Sequence, residues 1–173
     1  TIASMANCTF PAGHMVGQKV LQDVASSHIG SNAASYTDLG IEVGYETKHA
    51  NTVSYLIVDW HSTMGYVQNS AGHYMDVTMR TVSNSTYTSG ESIGSSTYGA
   101  MYWNTASGES YSVGDIRMFC GTHTSGMQMP STKSSWSAGD TLYFRLFFKS
   151  ASGNFYPVHI NAQYNLSVTE VMI

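Results

Sequence analysis

One serine in this chain stands in a pattern that could do chemistry. Gly90-Glu91-Ser92-Ile93-Gly94 matches G-x-S-x-G, the pattern that raises a nucleophilic serine on a strained turn. That chemistry needs a strand before the serine and a helix after it. Neither flank fits, because the match lies in SNSTYTSGESIGSS, residues 83–96, which reads as a polar loop. The seven histidines are His14, His28, His49, His61, His73, His123 and His159. No pair shows H-x-H, H-x3-H or HExxH spacing, so no local zinc pattern is present. His61 and His73 flank a loop and could meet across a hairpin, but exposed loop histidines are the simpler reading. Glycosidase chemistry needs two carboxylates held across a cleft. Asp59 and Asp76 each fit the outward position of an alternating strand, and no pair of the eleven acids stands out. The chain is therefore expected not to be an enzyme, with no cofactor and no metal.

Aromatic residues are the more suggestive group. There are twelve tyrosines and three tryptophans. Tyr87, Tyr98, Tyr102, Trp103, Tyr111, Trp136 and Tyr156 fall in loops or at strand ends. Exposed rings beside Asn, Asp and Ser can stack on sugars, and the same rings build oligomer interfaces. Tyr87, Tyr102, Trp103 and Trp136 are the candidate contacts to a receptor or glycan. For Tyr102 and Trp103, core or interface is the stronger expectation. The ten methionines read as adaptable core filler. Cys120 lies in an apolar run and reads as a buried, reduced residue. Whether it pairs with Cys8 is open on two cysteines alone. Three N-x-S/T sequons, at Asn7, Asn84 and Asn165, matter only in a host that glycosylates.

The elements that would position these groups are almost all strands. Short alternating apolar runs recur from about residue 17 to residue 173, and no segment reads as a good helix. Strands are expected at 19–26, 36–45, 53–60, 74–82, 98–103, 111–120, 141–149, 155–160 and 164–172. In 141–149, Leu142, Phe144, Leu146 and Phe148 alternate with Tyr143, Arg145, Phe147 and Lys149, so the first set should face the core. In 74–82, Met75, Val77 and Met79 alternate with Asp76, Thr78 and Arg80, which predicts one wet face. Gly114 and Asp115 interrupt their run and suggest a bulge. Residues 83–96 and 121–140 are long loops, expected at the exposed tip if they lie at one end. The expected fold is an all-β antiparallel sandwich of nine or ten strands, jelly-roll-like. Residues 1–16, with Pro11 and Gly13, read as an arm or linker, and residues 17–173 as one domain. The N-terminal segment lacks an initiator Met and a signal-peptide pattern, and reads as the start of a fragment or processed product.

Composition narrows the function. Charged residues are only 10% of the 173, against roughly 25% in ordinary soluble domains. So few charges give little protection against self-association, which suggests an oligomer or a large assembly. The net charge is −4, and the seven Lys and Arg are scattered singly. That argues against nucleic-acid binding. No apolar run approaches the roughly 20 residues of a membrane span, so no membrane insertion is expected.

A resemblance adds to this reading. Residues 10–22, FPAGHMVGQKVLQ, resemble a lead-in found in bacteriophage and marine-virus structural proteins. YTDLGI at 36–41, KHANTVSYLIV at 48–58, YWNTASG at 102–108 and SVTEVMI at 167–173 follow in the same order. The chain departs from the group in its closing TEVMI and in its long middle loop. The group is similar to tail-fibre, head-fibre and capsid-decoration modules. The resemblance implies a compact β-domain, often a homotrimer, at the virion surface. It also implies that residues 1–16 end a region joining it to other virion proteins. Contact with a host surface glycan would follow from such a place. A carbohydrate-binding module or lectin without catalysis is the alternative.

Overall fold

The computed structural model describes residues 12–68, 72–95, 99–104 and 109–173, with the side chains of 68, 103, 104 and 109–113 outside the description. Ten strands are described: β1 (Met15–Val24), β2 (Ile29–Ser31), β3 (Thr37–Glu46), β4 (Ser54–Gln68), β5 (Gly72–Arg80), β6 (Met101–Asn104), β7 (Glu109–Cys120), β8 (Thr141–Ser150), β9 (Phe155–Val158) and β10 (Gln163–Met172). Among the described residues a 3-10 turn lies at Ser89–Glu91.

The strands form two antiparallel sheets. One runs β1-β10-β4-β9-β2, with β7 also paired to β4. The other runs β3-β8-β5-β6. With the short β2 and β9 set aside, the pairings nest: β1 with β10, β3 with β8, β4 with β7, and β5 with β6. The remaining eight strands thus read as one folded-over hairpin shared between two sheets. That is the eight-strand jelly roll.

The core lies between the sheets. Leu142, Phe144, Leu146 and Phe148 of β8 are buried, as their alternation predicts. They pack in one cluster with Met75, Val77 and Met79 of β5, Leu56, Val58 and Trp60 of β4, and Leu166 and Val168 of β10. Cys120 is a buried free thiol, and burial pushes its pKa up to about 12. Asn7 and Cys8 lie outside the described residues.

Several expectations change in detail. β1 begins at Met15, inside the segment read as an arm. β2 forms between the strands expected at 19–26 and 36–45, where none is expected, and pairs with β9. β4 runs on past Trp60 through residues that read as a loop. Its register shifts between Ser62 and Gly65, facing Gly114 and Ser112. The irregularity expected at Gly114 is therefore carried by the partner strand. His61 and His73 do not meet, because β4 and β5 belong to different sheets. His73 is buried against Phe155, while His61 sits opposite Asp115, 2.5 Å away.

Candidate functional site

The two sheets have very different outer faces. On the four-stranded sheet, Asp76, Thr78 and Arg80 of β5 and Phe147 of β8 point away from the core, yet all are at most 2% exposed. The wet face predicted for residues 74–82 is dry. Its cover is the β5–β6 connection. Ser83 donates to Glu42 on β3 (2.6 Å). Tyr87 packs edge-on to Phe147 and donates to Asp76 (2.7 Å). Ile93 donates its N–H to the Val77 carbonyl (2.9 Å) and buries its side chain in the core. A loop of serines and threonines can do this because its hydroxyls satisfy the polar groups that it covers.

Beneath the cover, charges are paired. Arg80 meets Glu91 at 2.9 Å and lies over the Phe147 ring. Arg145 bridges Asp38 and Glu42 at 2.7 and 2.9 Å. The Asp76 carboxyl also accepts from Ser92 and from the backbone of Val77 and Gly94. Its pKa is raised, because burial outweighs those hydrogen bonds. A side chain at Gly94 would run into an Asp76 oxygen and the Gly99–Ala100 backbone, so only glycine fits there. Ser92 lies between a 3-10 turn and extended backbone bridged to Thr78. It accepts from the Gly94 N–H. This is not the strand-turn-helix of a nucleophile elbow.

The loops 83–96 and 121–140 do touch. The Gly90 carbonyl accepts from the Thr132 N–H (3.1 Å) and from the Ser131 and Thr132 hydroxyls. Between them lies a hollow of about 550 Å³ lined by Tyr36, Tyr87, Ser92, Met129 and Ser131. Tyr87 is stacked on Tyr36, with ring centres 4.3 Å apart. Its face is taken, so it is part of the wall. Trp136 is 3% exposed, and its indole N–H donates to the His49 carbonyl (3.1 Å). It pins the 121–140 loop to the β3–β4 connection and offers no open platform, because its ring is spent on packing. Tyr102 is 40% exposed on β6, against Tyr74. Trp103, next to it on β6, pairs with His73 of β5, and its side chain lies outside the description.

The outer face of the six-stranded sheet is bare by comparison. Val20 and Val24 on β1 and Phe119 on β7 stand 47%, 51% and 40% exposed. A hollow of about 510 Å³ near Phe119 is lined by Tyr55, His123, Met127 and Ile173. The charges here are neutralised across strands. Arg117 binds Asp59 with two nitrogens (2.6 and 3.1 Å), and each is the other's direct cross-strand neighbour. Among the described residues, no three His, Cys, Asp or Glu converge as a metal site.

One buried charge escaped the sequence reading. Glu170 of β10 is fully buried. It accepts from the Tyr45 and Ser54 hydroxyls (2.9 Å each) and from the Lys48 and His49 N–H groups (2.7 and 2.8 Å). It ties the β3–β4 connection to the last strand. A signal was present, since Leu166, Val168 and Met172 on one face put Glu170 on that face too.

No family model matches the chain, and no curated protein matches it. Among solved structures it is similar to the VP2 subviral particle of infectious bursal disease virus, with TM-score 0.42 and 9% identity. That match covers 98% of this chain and 36% of the other, so this chain spans about a third of its length. The T13 viral particle of the same virus is also similar, with TM-score 0.28 and 11% identity over 89% of this chain and 39% of that one.

Proposed function

We propose that this chain is a structural module of a virus particle: a non-catalytic jelly-roll subunit at the virion surface that associates with copies of itself as a homotrimer. The observation that carries the proposal is the bare outer face of the six-stranded sheet. The protein covers its other sheet with its own loop and leaves this face open, with Val20, Val24 and Phe119 exposed. The charges at its centre are already paired within the chain, Asp59 with Arg117. A second copy can therefore cover the face without burying an unpaired charge, which would be costly. The low overall charge points the same way. The jelly-roll topology and the ordered resemblance to phage structural proteins give the assembly its setting. In that setting residues 1–16 would reach other virion proteins, as a fibre, spike or decoration module does.

The test is a pair of charge insertions on the bare face, Val20→Lys and Phe119→Asp. Sedimentation should show association lost in the double variant, with the circular dichroism of the fold retained. Association unchanged by both substitutions would remove this face as the contact.

A second reading is a glycan-binding module, either within a particle or free. It is favoured by one observation, the exposed ring of Tyr102 on a rigid strand. Glycan binding by the isolated chain is its test.

A further inference from the structure

Three cations point outward from the described part of the four-stranded sheet, and they are held in different ways. Arg80 and Arg145 are matched by carboxylates. Lys149, at the other end of β8, is not: no described carboxylate lies within 4.0 Å of its ammonium. Its Nζ sits instead between two rings, 4.6 Å from the centre of Tyr36 and 4.3 Å from that of Tyr74. Ring quadrupoles hold a cation in place without cancelling its charge.

Strand register explains the arrangement. Tyr74 is directly opposite Lys149 on one side and Tyr102 on the other. Tyr36 immediately precedes β3, whose Thr37 pairs with Phe148. The result is one cross-strand row, Tyr36–Lys149–Tyr74–Tyr102, across the sheet. Tyr36, Lys149 and Tyr74 are half-buried and Tyr102 is 40% exposed. The row therefore holds a fixed positive charge one strand away from the partly exposed ring of Tyr102.

We infer that this row binds an acidic sugar, with the sugar carboxylate on the Lys149 ammonium and the apolar face of a pyranose on Tyr102. The ammonium is pre-positioned by its two rings, so little side-chain freedom is lost on binding. A single unmatched cation suits one carboxylate. A nucleic-acid strand would need several cations in line, and the chain's net charge of −4 opposes it. The inference rests on the glycan reading, to which it gives a ligand class and residues, and is independent of the assembly reading.

The experiment is calorimetric titration of the full chain with 3′-sialyllactose, with lactose as the neutral control and a ten-nucleotide oligo-dT as the anionic one. Sialyllactose should bind roughly tenfold tighter than lactose, the effect of one charge-assisted contact. Lys149→Met removes the charge but keeps an unbranched side chain of similar length beside the two rings, and should bring the two sugars to parity. Lys149→Arg should restore the preference. Tyr102→Ala should weaken both sugars alike. Equal binding of both sugars by the native chain would overturn the acidic class and leave the glycan reading standing. Binding of neither sugar would overturn both. Oligo-dT binding lost in Lys149→Met, without any sugar preference, would overturn the assignment in favour of nucleic acid.

Discussion

Glu170 is the residue on which the connection of the two sheets most depends. Four donors converge on its one carboxylate: the Lys48 and His49 N–H groups and the Tyr45 and Ser54 hydroxyls. Glu170→Ala would strand those donors in the interior and should cost about 3 kcal/mol, read from the urea midpoint. Glu170→Gln keeps an acceptor and should cost less. Asp76 offers a pH test of a different sign from most carboxylates. Its pKa in the folded chain is raised by burial. Its contribution to stability is therefore fully present below the ordinary carboxylate range and is lost as pH rises through the raised value. The urea midpoint of the native chain relative to Asp76→Asn should fall as the pH is raised from below the ordinary aspartate range to well above it; a rise would contradict the burial argument. Both residues show where reading a sequence stops. Strand alternation fixes which face a carboxylate points to, but whether that face is dry depends on what packs over it. Trp136 is the same case in reverse: it sits in a polar loop, yet it is buried by its bond to His49.

At the scale of elements, local pattern was a good guide to strands and a poor guide to covers. The alternation in β8 identified the core face because hydrophobic burial there is a property of the strand itself. The length of β4 was hidden because HSTMGYVQ carries no alternation, and its pairing with β7 is set by the partner's register. The covering role of residues 83–95 was hidden for a similar reason. Serine and threonine hydroxyls that bond to a buried face look the same in sequence as solvated ones. Tyr87→Phe tests the cover directly. Loss of the hydroxyl bond to Asp76 should cost about 1 kcal/mol, discounted because Tyr87 is half-exposed. That should speed amide exchange of Ile93, which bonds to Val77 under the same loop, by about fivefold. Unchanged exchange at Ile93 would mean that the loop is held by other contacts.

At the scale of the whole molecule, the jelly roll solves the burial of one face of each sheet and leaves the two outer faces to be managed separately. The four-stranded sheet is covered from within. The six-stranded sheet is bare, with its charges already paired, which is the condition expected of a surface that meets its own copies. Topology of this kind can be expected from a run of nine or ten alternating segments, but strand order cannot. The nesting of first strand with last appears only in the pairing. The most direct measurement is the solution mass of the native chain by light scattering on a sizing column. The account expects a stable species of three times 18.8 kDa, reduced to single chains by Val20→Lys with Phe119→Asp. A monomer at all concentrations tested would contradict it.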